Sequence, residues 1–169
     1  MIRALIFDWG DTVMHVFPQY PGPMAHWPQV EAVPGIQEAL CILRPHCRLV
    51  LATNAAESGA VLVREALRRV GLEELFHAVF TACELGVRKP EPAFFAAVLH
   101  EIGCTPQQAV MIGDDYTVDI VGAKRAGMLT IWFNPQGSTC PLILPQHDAE
   151  VRAMAELPTV LKNMQAVTK

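Results

Sequence analysis

Four short polar stretches carry the residue types that could do chemistry. Asp8-Trp9-Gly10-Asp11 follows the apolar run Ala4-Leu5-Ile6-Phe7, and Thr53-Asn54 follows an apolar run at 48–52. Arg88-Lys89 sits in a loop; Gly113-Asp114-Asp115 follows a third apolar run, with Asp119 a few residues beyond. A carboxylate can attack phosphorus as a nucleophile, giving an acyl phosphate that water then hydrolyses. Hydroxyl and amide groups such as those of Thr53 and Asn54 can donate to phosphate oxygens. A lysine supplies a compact positive charge for the same oxygens. Each stretch also has a plainer use. Asp8 and Asp11 can shape a turn, Thr53-Asn54 or Asp114-Asp115 can cap a following helix, and Arg88-Lys89 can sit in solvent. The chemistry therefore depends on whether the fold brings the four together.

The surrounding pattern says that it does. Strands are expected over residues 2–7, 48–52, 78–82, 109–112 and 129–133. Helices are expected over 34–43, 57–70, 93–102 and 117–126, several of them closed by glycine (Gly71, Gly103, Gly127). A short edge element over 150–154 and a terminal helix over 158–165 complete the pattern. Strands that alternate with helices make a parallel sheet with helices on both faces. In such a sheet the carboxyl ends of the strands share one edge, and sites form there. Asp8, Thr53-Asn54, Lys89 and Asp114-Asp115 then meet at that edge.

Residues 14–34 interrupt the alternation. Pro18, Pro21, Pro23 and Pro28 exclude a long helix or a central strand, so this is an ordered loop or short flap beginning beside Asp8. Its rings (His15, Phe17, Tyr20, His26, Trp27) either touch a substrate or pack the loop onto the body; burial is the commoner fate of apolar rings.

The charge at the edge is informative. Asp8, Asp11, Asp114, Asp115 and Asp119 crowd together, and carboxylates that close raise one another's pKa. One lysine does not neutralise them; a divalent cation would. Oxygen ligands without His or Cys favour Mg²⁺ over Zn²⁺. Mg²⁺ commonly binds one or two carboxylates and a substrate phosphate, so a phosphorylated substrate is expected.

The runs IFDWGDT, LATN, GVRKPEPAFF and VMIGDDYTVDIVGAKRAGM resemble the four motifs of the haloacid dehalogenase-like hydrolases, most closely their small phosphatases. The resemblance covers residues 2–133. It implies a three-layer, Rossmann-like α/β fold and a Mg²⁺-dependent phosphatase. Asp8 is then nucleophile and metal ligand, the Gly10 carbonyl and Asp114 are further ligands, and Asp119 stands behind them. Thr53, Asn54 and Lys89 hold the phosphoryl group. Two departures matter. Family phosphatases carry an acid–base aspartate two residues after the nucleophile. Here that position is Gly10, and the next acid is Asp11; Asp11 acting through a water, or His15, are the substitutes at hand. Such help is typically worth about 10²–10⁴-fold. Relatives also often insert a helical cap domain between the first two motifs. Here 45 positions separate Asp8 from Thr53, so a short flap stands in place of a cap and the site should be open. Capless relatives act on bulky phosphorylated substrates or form oligomers, which puts a homo-oligomer in view. Gly10 also suits two other readings: hydrolysis of a carbon–halogen or carbon–phosphorus bond, or a phospho-ligand-binding module with weakened catalysis.

The chain as a whole agrees. Its 169 residues, 51% hydrophobic and 18% charged, suit a single domain over 1–169. A net charge of −4 argues against nucleic acid as a partner. Arg64, Arg68 and Arg69 read as a solvated helix face. Five scattered cysteines without a C-x-x-C pair point to reduced thiols and a cytoplasmic setting. No apolar run suggests a signal peptide or a membrane span.

Overall fold

The structure is a computed structural model that describes residues 1–167. Six strands form one parallel sheet: β1 Ala4–Phe7, β2 Arg48–Thr53, β3 Ala78–Thr81, β4 Ala109–Gly113, β5 Leu129–Phe133 and β6 Ala149–Val151. Their order is β3-β2-β1-β4-β5-β6, so β1 is central. Phe7 pairs with Leu51 on one side and Ile112 on the other. Asp8 therefore emerges between the ends of β2 and β4, where its N–H donates to the Ile112 carbonyl at 2.9 Å.

Strand side chains alternate between faces, and two apolar layers result. Leu5, Phe7, Leu49, Leu51, Val110 and Ile112 pack beneath α1 (Ile36–Leu43), α2 (Ala60–Arg69) and α6 (Leu157–Val167). Ala4, Ile6, Val50, Ala52 and Met111 pack against α4 (Pro92–Glu101) and α5 (Gly122–Arg125). Parity puts Asp8 on the second face, with Ala4 and Ile6. The expected three-layer α/β architecture is present. No helix among the described residues is long and apolar enough to cross a membrane.

Three local differences have physical causes. α2 begins at Ala60, not at 57. Its first N–H is met from a distant element, since Ala60 donates to Glu84 Oε1 at 3.1 Å. Glu84 belongs to a short helix, α3 (Ala82–Leu85), that takes the last residue of the expected third strand and the start of the expected 83–92 loop; Thr81 caps it by accepting from the Glu84 N–H. The helix after β4 opens as a wider π turn, Tyr116–Val121, before becoming α5.

Residues 14–34 are an ordered insert with one 3₁₀ turn, Met24–His26. Phe17, Tyr20 and Trp27 contact one another with ring centroids 5.9–6.4 Å apart, and Trp27 is buried. These rings pack the loop; His26 stays exposed. Arg69, expected in solvent, instead donates to the Ala25 and Trp27 carbonyls at 2.9 and 2.7 Å and clamps the insert to α2.

Candidate active site

The end of β1 delivers Asp8, and the loop before α4 delivers Lys89. The Lys89 ammonium, 1% exposed, lies 2.6 Å from Asp8 Oδ1 and 2.7 Å from Asp119 Oδ1. Lys89 is itself held by its main chain. Asn54 Oδ1 accepts from the Lys89 N–H and Asn54 Nδ2 donates to the Lys89 carbonyl, both at 2.8 Å. The Asn54 amide is thus committed to positioning Lys89. Thr53, buried at the end of β2, accepts from the Ala55 N–H.

Carboxylate oxygens of Asp8, Asp114 and Asp119 lie within 4.8 Å of one another. Asp119 reaches this point from beneath β4, and Gly113 makes the room. A Cβ on Gly113 would sit 2.3 Å from Asp119 Oδ2. Asp114 is oriented by Thr12, whose hydroxyl donates to Asp114 Oδ1 at 2.9 Å and lies 3.2 Å from the Asp114 N–H. Thr12 lies within the first motif but gave no signal of this role; the contact spans 102 positions in sequence.

The other two acids do different work. Asp115 caps the following turn by accepting from the Thr117 and Val118 N–H groups. Asp11 adopts a left-handed backbone (φ 54°) and turns its exposed carboxylate to the insert. There Asp11 Oδ1 accepts from the Val16 N–H at 2.9 Å, with His15 Nδ1 at 3.8 Å. The insert also occupies the space beside Gly10, where a Cβ would meet Val16 Cγ2 at 2.8 Å.

Of the three clustered carboxylates, Asp8 and Asp119 contact the Lys89 ammonium and Asp114 does not. Burial, then the charge of Asp8, pushes the Asp114 carboxyl up to about 6. Burial also drives Asp119 upward, against the pull of Lys89. Burial works against the Lys89 ammonium as well, but Asp8 and Asp119 outweigh it and hold its pKa above the ordinary lysine value. The donor set is all oxygen and carries excess negative charge, and burial with the charge of Asp8 raises one of its acids, Asp114. These residues fit a hard divalent ion.

A cleft of about 680 Å³ opens from this edge toward the ends of β5 and β6. Asp11, His15 and Asp114 line one end; Asn134, Ser138 and Arg152 line the other. Asp8, with 15% of its side chain exposed, does not itself line the cleft but brings a carboxylate oxygen within 4.8 Å of one on Asp114, which does.

Residues 10–127 match the family model of the haloacid dehalogenase-like hydrolases. Curated relatives include a glyceraldehyde 3-phosphate phosphatase of Methanopyrus kandleri, 44% identical over 46% of this chain and 34% of that protein. Another is the N-acylneuraminate-9-phosphatase of Homo sapiens, 30% identical over 76% of this chain and 51% of that protein. The chain spans a third to about half the length of the curated relatives it matches. Among solved structures, an uncharacterized protein of Listeria monocytogenes superposes with a TM-score of 0.83 at 24% identity, covering 98% of this chain and 99% of that one. A 2-haloacid dehalogenase of Pseudomonas syringae gives a TM-score of 0.79 at 24% identity, covering 97% and 100%.

Proposed function

The chain belongs to the haloacid dehalogenase-like hydrolases, and from that premise we propose that it is a Mg²⁺-dependent phosphatase that works through an aspartyl phosphate on Asp8. One observation carries the reading: three carboxylates and the buried Lys89 ammonium converge at the carboxyl edge of the sheet. The phosphatases among its relatives support the same reaction class. Carbon–halogen cleavage has no use for the excess negative charge that Asp114 and Asp119 add.

In this account Asp8 attacks phosphorus through the oxygen that does not face Lys89. The Lys89 ammonium pairs with the other Asp8 oxygen and draws the phosphoryl oxygens toward it. Thr53 stands beside the same oxygens, and Asn54 fixes the lysine that binds them. Asp8, the Gly10 carbonyl and Asp114 would hold Mg²⁺, with Asp119 bracing Lys89 behind them. When bound, the ion supplies positive charge against the charge of the transferring group. Asp11, or His15 beside it, faces the leaving-group side and serves the proton transfers that a carboxylate at position 10 would serve. Water then attacks the phosphoaspartate, releasing phosphate and restoring Asp8. Residues 1–169 act as one domain in the cytoplasm, with the 14–34 insert in place of a cap.

The test is phosphate release from an aryl phosphate, with Mg²⁺ and with chelator, beside halide release from a 2-haloacid. The proposal expects Mg²⁺-dependent phosphate release, absent in Asp8→Asn, and no halide. Halide release unaffected by chelator would replace it with the dehalogenase reading. Binding of Mg²⁺ and phosphate without turnover would replace it with the binding module.

A further inference from the structure

We propose that the cleft running from Asp114 to Arg152 is the leaving-group site, and that it selects phosphate esters whose leaving group carries a second oxyanion. The proposal rests on the phosphatase reading and adds the substrate class. The cleft is of a size that suits a small phosphorylated molecule. Its two ends differ in character. Carboxylates occupy the end at the reaction centre, and hydrogen-bond donors with a guanidinium occupy the other. Arg152 is the sole lysine or arginine among the described residues lining it. An ester held by its phosphoryl group at Asp8 would extend its leaving group toward that cation.

The far wall gives the guanidinium, whose side chain is 67% exposed, a surface to lie against. Asn134, 3% exposed, closes the 134–138 turn by accepting from the Ser138 N–H at 2.9 Å and donating to the Ser138 carbonyl at 2.9 Å. Gly137 in that turn has φ 63°, and a Cβ there would lie 3.2 Å from Arg152 Cζ and Nη1. The turn thus leaves space for the guanidinium to lie against the backbone. Glu150 approaches Arg152 only through Nε, at 3.5 Å, and is also bonded to Asn134 Nδ2 at 3.0 Å. The two terminal nitrogens make no hydrogen bond among the described residues. They form the fork that carboxylates and phosphates accept in pairs.

A series of equal chain length tests this: propyl phosphate, 3-phosphooxypropionate and propane-1,3-diyl bisphosphate, which end in methyl, carboxylate and phosphate. The wild-type protein is expected to show a kcat/KM for at least one anionic ester roughly tenfold or more above that for propyl phosphate, the scale of a charge-assisted hydrogen bond. Which anionic ester is preferred separates the two oxyanion sources. Arg152→Met should lower that ratio about tenfold, chiefly through KM, and Arg152→Lys should retain part of it. The preference should shrink with added salt, since the Arg152 side chain is two-thirds exposed. Equal kcat/KM for all three esters, or an Arg152→Met ratio equal to wild type, overturns the inference while leaving the phosphatase reading intact. Failure to hydrolyse even an aryl phosphate overturns both.

Discussion

The Lys89 ammonium sits between Asp8 and Asp119, 2.6 and 2.7 Å from one oxygen of each, with almost no access to solvent. A buried cation between two carboxylates is strongly committed: removing it leaves uncompensated charge. Lys89→Met should abolish turnover and destabilise the fold by about 3–5 kcal/mol in urea titrations. The double variant Lys89→Met/Asp119→Asn should regain part of that stability without activity, because one stranded carboxylate is gone.

Asn54 predicts a separable effect. Its amide meets both main-chain polar groups of Lys89, so Asn54→Ala frees the backbone that aims the ammonium. We expect a loss of about 1–3 kcal/mol of stability and, because small displacements of catalytic groups are costly, a fall in kcat of up to about 10²-fold. Steady-state kinetics beside thermal unfolding checks both.

Gly10 and Val16 are coupled by space. Because a Cβ at Gly10 meets Val16 Cγ2 at 2.8 Å, Gly10→Asp alone should gain little. Gly10→Asp/Val16→Gly should raise kcat, toward the roughly 10²–10⁴-fold that acid–base help contributes. A single Gly10→Asp variant as active as the double would show that Val16 is no obstacle.

The cluster fixes the sign of a pH effect in protein freed of divalent ions. Asp114 titrates near 6 when folded, against an ordinary value of 3.8. Between those values the folded state keeps a proton that the unfolded chain releases, so stability falls as pH rises from about 4 to about 6. The loss is on the order of 1–2 kcal/mol for a group still partly open to water. Chemical denaturation across this range should show the decline, and Asp114→Asn should reduce it to the part that Asp119, also driven upward by burial, contributes. Adding Mg²⁺ should raise the melting temperature most at the high-pH end, where the carboxylates are ionised.

The sheet and the convergence of Asp8 and Asp114 were legible in the sequence, because apolar runs ending in acids mark parallel strands delivering side chains to one edge; Lys89 followed from the loop after the third strand, and the place of Asp119 behind them from the motif resemblance. The contacts that aim those groups were not. Thr12 on Asp114, the grip of Asn54 on Lys89 and the clamp of Arg69 on the insert join residues 35 to 102 positions apart. Their polar side chains look locally like turn, cap and surface residues. Asp115 did prove to be a helix cap, and only its neighbour Asp114 faces the cluster. The left-handed backbone at Asp11 accompanies a bond from the Val16 N–H only five positions on, at the start of the insert.

The most direct measurement is covalent. Protein loaded with Mg²⁺ is mixed with an aryl phosphate, quenched in acid within a turnover, and digested for mass spectrometry. The account predicts one phosphoryl group on the peptide containing Asp8, labile to hydroxylamine and absent from Asp8→Asn. Phosphate release that continues in Asp8→Asn, or a phosphoryl group on any other residue, would contradict it.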